Sequence, residues 1–466
     1  MSLLKPEDAD FAMHVAVAVV GGGGCGLTAA LSAAEAGASA LVLEADAQAL
    51  GTTSMSTGLI PAAGTRFQRE AGIDDSPEQF AHDILAKTGH TTDAEIALSL
   101  AQASADTVEW LADSQGVPLS LVDSFLYPGH TVMRMHGSPN RTGGELMGAL
   151  SNAVERAGVD VLTEARVSAI FAQDDGQVRG VRCARPDGST EDLSCDALIL
   201  ACCGFAGNPE MVAHYIPEIV NADFFGHPGN KGDAIVWGRE LGAAIEDIHS
   251  YQGHGGLAAG HGVPILWPVI MEGGFQMNQR GERFANEARG YSEHAVEVVA
   301  QPGHEAWTVY DQRLHEMMQE FDDYRDAMAQ SAVRSADSVA GLADITGVPL
   351  DALTQTLTQV AAATRGETPD PLDREFADRA VLTAPYYTVK VHGALFHTQG
   401  GLKVDADGRV VREDGSLFNN LYAGGGAARG ISGPGCSGYL AGNGLLTATT
   451  FGRLAGQSAG RRFADG

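Results

Sequence analysis

The feature that most constrains the fold is an apolar run, VAVAVV at residues 15–20, followed at once by a glycine cluster, GGGGCG at 21–26. The next residues have helical character, and ALVLE at 40–44 returns to an apolar strand pattern. A strand, a glycine turn, a helix and a second strand in this order form a βαβ unit. The chain is therefore predicted to begin with the nucleotide-binding unit of a Rossmann-like α/β fold.

The spacing within this unit indicates its ligand. Gly21, Gly23 and Gly26 fit GxGxxG, in which glycines permit a tight turn and leave helix N–H groups facing a pyrophosphate. Glu44 ends the second strand, 23 positions after Gly21, where a carboxylate can accept the ribose hydroxyls. An acidic residue at this position favours FAD or NAD over NADP.

Composition excludes several classes of partner. The 466 residues carry 30 Lys+Arg and 59 Asp+Glu, a formal net charge of −29, which disfavours binding to nucleic acid or to anionic membrane surfaces. The six cysteines form no CxxC or haem-attachment motif and are expected to be reduced. The N-terminal residues lack a signal-peptide pattern, and no apolar run reaches 18 residues, so a cytoplasmic location is expected.

The residue composition changes in the middle of the chain. Residues from about 245 to 385 are richer in His, Met and charged residues, with helix-like segments at 312–330 and 350–364. Strand-like patterns return after 385 and are followed by a final helix. This order predicts that residues 1–244 and 386–466 form one domain, and that 245–385 form an inserted α+β cap.

Three further segments carry a family resemblance: GTTSMSTGLIPAAGT at 51–65, ALILACCGF at 197–205 and NLYAGGGAARG at 420–430. Together with the glycine turn and Glu44, their order resembles the FAD-dependent fumarate reductase and 3-ketosteroid dehydrogenase superfamily along nearly the whole chain. The resemblance implies an FAD-binding domain made from both chain ends, with a cap that holds the substrate.

The resemblance also implies particular FAD contacts. Besides the residues already named, these are Thr52, Thr53, Ser54, Ser56, Gly58, Gly204, Asp233, Gly425 and Leu445. Members with covalent flavin carry a histidine in the stretch that matches 51–58, and none occurs between Glu44 and Gly64, so non-covalent FAD is expected. The departures are Cys202-Cys203, where the pattern reads Thr-Gly, and Gly426, where an acidic residue is common. For Asp233 an N-cap role is the alternative.

The catalytic positions separate two branches of the superfamily. His254 in YQGHGG and His397 in FHTQGG resemble the histidines of the fumarate reductase branch. Its two arginines are replaced: Tyr291 follows the RFxNE signature, with Arg289 two residues early, and Tyr439 stands in CSGYLAGNGL at 436–445. Two tyrosines at these places resemble the ketosteroid dehydrogenase branch.

That branch implies desaturation of a cyclic ketone. Tyr291 is predicted to remove the α-proton, and Tyr439 to donate a hydrogen bond to the ketone oxygen, with the N–H of Gly442 or Gly444 as second donor. The hydride goes to flavin N5. His254 and His397 are assigned to the site, where they either line the flavin or bind a polar group of the substrate.

Several alternatives stay open at this point. The substrate is a 3-ketosteroid or a smaller ring such as 4-oxocyclohexanecarboxylate. The rival activity is reduction of an alkene acid, as in fumarate or urocanate reductases, and the rival class is a flavin module without catalysis, which would not need a large cap. Tyr127, Arg134 and Arg141 are further site candidates, whereas His130, His136 and Tyr251 have no decisive context. The electron acceptor is oxygen, a quinone or a partner flavoprotein.

Overall fold

The computed structural model describes residues 3–376 and 379–464. Within them the chain forms two compact units. The first comprises Met1–Tyr215, Gly226–Tyr251 and His397–Gly466, and the second Ile216–Phe225 and Gln252–Phe396. The assignment of FAD binding to 1–244 and 386–466, and of the cap to 245–385, stays a prediction.

The helices of the described residues are α1 (Gly24–Glu35), α2 (Arg66–Glu70), α3 (Pro77–Lys87), α4 (Ala94–Asp113), α5 (Gly143–Arg156), α6 (Pro209–Tyr215), α7 (Asp233–Leu241), α8 (Pro268–Met271), α9 (Tyr291–Val299), α10 (Gln312–Met318), α11 (Asp322–Ala329), α12 (Val339–Thr346), α13 (Leu350–Thr364) and α14 (Asn443–Arg462).

The strands of the same residues are β1 (Leu3–Leu4), β2 (Phe11–Val20), β3 (Ala40–Leu43), β4 (Ile60–Pro61), β5 (Ser120–Val122), β6 (Met135–Gly137), β7 (Asp160–Leu162), β8 (Arg166–Ala172), β9 (Val178–Ala184), β10 (Thr190–Leu200), β11 (Asp223–Phe224), β12 (Ile245–Glu246), β13 (Tyr251–Ala258), β14 (Phe275–Met277), β15 (Glu305–Asp311), β16 (Arg334–Ala336), β17 (Tyr386–Thr398), β18 (Gly401–Leu402), β19 (Arg409–Val411) and β20 (Leu417–Ala423).

The first unit is built on a nine-stranded sheet in the order β1-β8-β9-β10-β2-β3-β7, with β20 beside β10 and β19 beside β20. Strands β20, β10, β2, β3 and β7 run parallel. Their apolar residues are buried, as expected for parallel strands covered on both faces. This confirms the predicted α/β class.

The register brings four chain segments to one edge of the sheet. Val20 pairs with both Leu43 and Leu200, and Leu200 pairs with Ala423. The glycine turn, Glu44, Cys202-Cys203 and Gly424 therefore all follow carboxyl ends that lie side by side. Ligands of open α/β sheets bind outside such carboxyl ends.

Helices α1 and α14 are in close, parallel contact in this unit. A Cβ added at Gly452 would lie 2.5 Å from the Cys25 carbonyl oxygen, and one at Gly456 would lie 2.1 Å from the Ala29 carbonyl oxygen. Only glycine permits the backbones to approach this closely. The high glycine content of the chain thus partly serves helix packing.

The second unit has a six-stranded sheet in the order β11-β17-β15-β14, with β13 and β16 also paired to β17. β17 pairs antiparallel with β15 and β16, and parallel with β11. Its apolar core includes Phe275, Tyr310 and Leu342. The single helical segment expected at 312–330 is instead two helices, α10 and α11, because the chain turns between them and buries Tyr324, whose hydroxyl lies 2.7 Å from that of Tyr310.

None of the six cysteines, all of them among the described residues, is in a disulfide bond. Within the residues that the structure describes, no helix combines the length and the apolar character that crossing a bilayer requires.

Candidate active site

Three glycines of the glycine turn, Gly21, Gly23 and Gly26, have different structural roles. Gly21 has φ 102°, and a Cβ there would lie 2.7 Å from the Ala201 carbonyl oxygen. A Cβ at Gly26 would lie 1.8 Å from the Gly21 carbonyl oxygen, so the start of α1 could not contact β2 as it does. At Gly23 the nearest atom to a Cβ is 3.9 Å away, which leaves open backbone at the helix N-terminus.

Glu44 lies beside this turn. It is 8% exposed, its Oε2 accepts the Gly22 N–H at 2.7 Å, and its Oε1 accepts the Asp46 N–H at 2.9 Å. These two amides hold the carboxylate at the end of β3. A carboxylate fixed at this place can accept ribose hydroxyls.

The segment 51–58 contacts the same turn. It contains a 3₁₀ turn, Thr52–Met55, and the Thr53 Oγ1 accepts the Gly24 N–H at 3.1 Å. Thr52 Oγ1 accepts from Asn230 Nδ2 at 2.8 Å, whereas the hydroxyls of Ser54 and Ser56 donate to carbonyls of the segment itself. A Cβ at Gly58 would lie 2.6 Å from the Thr142 carbonyl oxygen, so glycine is required there.

The remaining predicted FAD residues are spread along the same sheet edge. Gly204 lies against Thr398, where a Cβ would come within 1.9 Å of the hydroxyl oxygen, and Gly425 lies against Cys25. Leu445 is partly buried in α14. Asp233 is the first residue of α7, Gly232 is the N-cap, and the Asp233 carboxylate accepts from Arg166 Nη2 at 3.0 Å. The N-cap alternative for Asp233 is therefore wrong.

The residues of this edge fit FAD. The backbone at Gly23 is open, the first turn of α1 holds no acidic residue, and the Glu44 carboxylate is held close to that turn. In addition, Asn443 Oδ1 is buried and has no hydrogen-bond partner among the described residues. Open amides, a ribose acceptor and an unpartnered amide oxygen suit a dinucleotide.

Tyr439 and His397 converge on Gly444 in the first unit. A Cβ at Gly444 would lie 2.9 Å from His397 Nε2 and 3.3 Å from Tyr439 Oη. The two rings meet edge to face, with centroids 5.7 Å apart. Both polar atoms therefore lie against the Gly444 backbone, at a distance that only glycine permits.

A polar chain fixes the tautomer of His397. Gln399 Nε2 lies 2.9 Å from His397 Nδ1, whereas Gln399 Oε1 accepts from the Ser432 hydroxyl at 3.1 Å. The Thr398 carbonyl is more distant from Nδ1, at 3.4 Å. Since the shorter contact makes Nδ1 an acceptor, Nε2 carries the proton and is the donor atom of the ring. Burial lowers the pKa of His397 to about 4, so the ring is neutral at pH 7.

Burial acts in the opposite sense on Tyr439. It raises the pKa of this phenol well above its usual range, so that Tyr439 keeps its proton and can donate it in a hydrogen bond. The Gly444 N–H points at the Tyr439 Oη, 3.3 Å away. Gly442, the N-cap of α14, uses its carbonyl to accept from the Leu446 N–H, and its own N–H has no acceptor among the described residues. Of the two predicted backbone donors, Gly442 is thus the available one.

Tyr291 and His254 lie together in the second unit, within an aromatic cluster. The His254 ring is 5.2 Å from that of Tyr291 and is stacked on Phe396 at 5.2 Å and 7°. Trp267 contacts both Tyr291 and His254, and Phe225 contacts Phe396. Burial lowers the pKa of His254 to about 3, so this ring too is neutral.

A buried ion-pair cluster holds the turn before Tyr291. Glu287 is fully buried and binds Arg283 at 2.7 Å and Arg374 at 3.1 Å. Although burial alone would raise it, the two guanidinium groups bring the pKa of Glu287 down to about 2. Asp370 pairs with Arg283. The RFxNE signature is therefore a structural anchor for the segment that carries Tyr291.

The other candidates from the sequence have different outcomes. Arg134 is fully buried and its guanidinium is used internally, at 3.0 Å from Asp75 and 2.6 Å from Asp83, so it is not available for a substrate carboxylate. Arg141 contacts Ser124, and Tyr127 packs edge to face on Phe125. The sequence reasoning missed Gln399, although its position two residues after His397 at the end of a strand would have placed both on one face.

A family profile described as "FAD binding domain" matches residues 16–445. The chain belongs to this FAD binding domain family. It is an FAD-dependent oxidoreductase, and fumarate reductases are among its relatives.

Individual proteins and solved structures resemble the chain along nearly its whole length. The chain is 29% identical over 453 residues to the fumarate reductase (cytochrome) of Shewanella frigidimarina, and the matching region covers 96% of this chain and 77% of that protein. The open conformation of a flavocytochrome c3 fumarate reductase superposes with a TM-score of 0.82 and 26% identity, covering 98% of this chain and 79% of the other. A 3-ketosteroid-Δ4-(5α)-dehydrogenase from Rhodococcus jostii RHA1 shares the fold, with a TM-score of 0.78, 23% identity and coverage of 99% and 100%.

Proposed function

We propose that this member of the FAD binding domain family is a dehydrogenase that introduces a C=C bond α,β to the ketone of a cyclic substrate. The observation that carries the proposal is that two neutral donors, Tyr439 Oη and His397 Nε2, lie together against the Gly444 backbone. In the fumarate reductase branch, by the resemblance, arginine stands at the position of Tyr439 to clamp a carboxylate. Neutral donors suit a carbonyl oxygen better than an anionic carboxylate.

Tyr439 and Gly442 act on the ketone oxygen. Loss of the α-proton moves negative charge onto this oxygen, and donors aimed at it stabilise the enolate that forms. The high pKa of the buried Tyr439 supports its role as a donor rather than a base. Gly442 N–H adds a second donor at the N-terminus of the 20-residue helix α14, where the helix dipole favours negative charge.

Tyr291 removes the α-proton. It is the first residue of α9, where the helix N-terminus favours negative charge, so its phenolate form can take the α-proton and become the phenol. The Arg283–Glu287–Arg374 cluster holds the preceding turn, so Tyr291 is supported by a rigid segment. FAD, when bound, supplies the acceptor for the hydride from the β-carbon.

The aromatic cluster around His254 favours a cyclic substrate. Rings of Trp267, Tyr291 and Phe396 surround a neutral imidazole, and such surfaces bind apolar rings by stacking and edge contacts. Both a 3-ketosteroid and 4-oxocyclohexanecarboxylate meet this condition. We further propose that FAD is held non-covalently, because no histidine occurs between Glu44 and Gly64.

A second candidate function is reduction of an alkene acid. It is favoured by the similarity to fumarate reductases over 96% of the chain and by the retained His254 and His397. It is opposed by tyrosine at both arginine positions. In this case the substrate itself is the electron acceptor, and a reduced cofactor or dye must supply the electrons.

Anaerobic titration of the FAD-loaded protein separates the two candidates. Bleaching of the flavin band is followed while 3-ketosteroids, 4-oxocyclohexanecarboxylate, succinate and dihydrourocanate are added in turn. Under the proposal a ketone bleaches the flavin, and Tyr291→Phe abolishes the bleaching while FAD stays bound. Bleaching by succinate or dihydrourocanate alone would refute ketone dehydrogenation and support the second candidate.

A further inference from the structure

His130 links a buried ion-pair cluster to the loop that carries Tyr439. It is 6% exposed, its Nε2 lies 2.9 Å from the Ala441 carbonyl oxygen, and its Nδ1 lies 3.2 Å from Arg134 Nη1. No neighbouring residue in the sequence singles out His130, because Ala441 is 311 positions away.

The partners leave one protonation state for the ring. A guanidinium can only donate hydrogen bonds, so His130 Nδ1 must accept from Arg134. A carbonyl oxygen can only accept, so His130 Nε2 must carry the proton and donate to Ala441. Arg134 cannot turn away, because Asp75 and Asp83 hold the rest of its guanidinium in a fully buried setting.

The hydrogen bond to Ala441 also determines the direction of the next N–H. The carbonyl of Ala441 and the N–H of Gly442 belong to one planar trans peptide group, in which they point in opposite directions. Gly442 has φ 83°, a conformation that glycine enters and leaves at little cost. The Asn443 N–H donates to the Leu440 carbonyl at 3.0 Å and closes the turn around this peptide group, and the His130 contact adds a hydrogen bond to the peptide group itself.

We propose that His130 is a positioning residue that aims the Gly442 N–H at the ketone oxygen; this inference rests on the proposed function. The chain of contacts runs from Asp75 and Asp83 through Arg134 and His130 to the Ala441–Gly442 peptide. His130 does not touch the substrate in this scheme. It acts by keeping one oxyanion donor oriented before the substrate binds.

Burial and the Arg134 charge lower the pKa of His130 to about 4, against the opposing effect of Asp83 and of the bond to Ala441. The groups that face the ring are therefore Arg134, Asp83 and the Ala441 carbonyl, with Phe80 at a centroid distance of 6.0 Å. A neutral ring of fixed tautomer is what the positioning role requires.

Kinetics of three variants of the FAD-loaded protein test the role. His130→Phe keeps a ring beside Phe80 but removes both hydrogen bonds, whereas His130→Gln keeps a donor for Ala441. His136→Phe is the matched control, because His136 is equally buried and bonds the Thr65 hydroxyl at 2.9 Å. We expect His130→Phe to lower kcat for the ketone about tenfold or more with little change in KM, since a transition-state contact is lost. His130→Gln should recover most of this loss, and His136→Phe should cause none.

Equal losses in His130→Phe and His136→Phe, or no recovery with Gln, would overturn the positioning role. A second measurement does not need turnover: nitrogen NMR of histidine-labelled, FAD-loaded protein reports the tautomer of each ring. An Nε2–H tautomer of His130 that persists to about pH 5 is expected from its lowered pKa. An Nδ1–H tautomer, or titration near the ordinary value of about 6.5, would refute the inference. Failure of the wild-type protein to oxidise any cyclic ketone would instead overturn the proposed function.

Discussion

Gly444→Ala is the substitution that most directly probes the convergence of Tyr439 and His397. The added methyl group would lie 2.8 Å from His397 Cε1, 2.9 Å from its Nε2 and 3.3 Å from Tyr439 Oη. It would push the two side chains away from the positions that they hold against Gly444. Because Gly444 is helical and has no positive φ, the backbone itself accepts alanine.

The stability and the activity of this variant should change in different proportions. Alanine in place of a helical glycine stabilises by about 1 kcal/mol, and the tight contact with His397 costs about 1–3 kcal/mol. The free energy of unfolding should therefore change by less than about 2 kcal/mol. The methyl group displaces the Tyr439 and His397 donors from their positions. We therefore expect kcat to fall about 100-fold, which is equivalent to about 2.7 kcal/mol.

Gly148→Ala is the matched control. Gly148 is also helical, in α5, and a Cβ there meets nothing within 4 Å. Denaturant unfolding and the rate of flavin bleaching by the ketone are measured for both variants. We expect Gly148→Ala to be slightly more stable with unchanged kinetics. If Gly444→Ala kept a bleaching rate within about threefold of this control, the two donors would not share a catalytic site.

Three further predictions concern single groups. Tyr439→Phe should lower kcat for the ketone about 100-fold while FAD stays bound, which stopped-flow bleaching checks; an unchanged rate would remove Tyr439 from the site. Glu44→Ala should weaken FAD binding about tenfold or more, since a charge-assisted acceptor is lost. Titration of the apoprotein with FAD measures this, with Glu155→Ala at an exposed site as the control. Equal affinities of the two variants for FAD would contradict the prediction. The free energy of unfolding should fall as the pH is lowered from about 6.5 to about 4, by up to about 1.4 kcal/mol per pH unit for each buried histidine. The reason is that the histidines of the unfolded chain bind protons in this range, whereas the buried rings of the folded protein stay neutral. A urea midpoint that does not change over this range would contradict the prediction. The buried histidines with lowered pKa values are His130, His136, His254, His294 and His397.

Local patterns carried the predictions that the structure and the comparisons confirm. The predictions of the α/β class and of the FAD-dependent family both depend on the glycine turn and the apolar strands beside it, which lie together at residues 15–44. Strands β2 and β3 and helix α1 form where the pattern predicted them. The roles of Tyr291, Tyr439 and the FAD contacts remain predictions.

Long-range contacts explain what the sequence did not reveal. The break between α10 and α11 depends on a tyrosine pair that forms only in the folded core. Asp233 was open to an N-cap role because its partner, Arg166, lies 67 positions away. His130 has no informative neighbours in sequence, since its role depends on a carbonyl near the other end of the chain.

The glycine contacts between α1 and α14 set a distance as well as a packing arrangement. The helices run in the same direction, with Gly452 against Cys25 and Gly456 against Ala29. Helix α14 begins nine residues before Gly452, whereas α1 begins one residue before Cys25. At 1.5 Å per residue, the N-terminus of α14 extends about 12 Å beyond that of α1. The helix pair thus sets the distance between the glycine turn and the N-terminus of α14. A one-residue insertion in α14 before Gly452 would shift that N-terminus by about 1.5 Å and rotate it by about 100°.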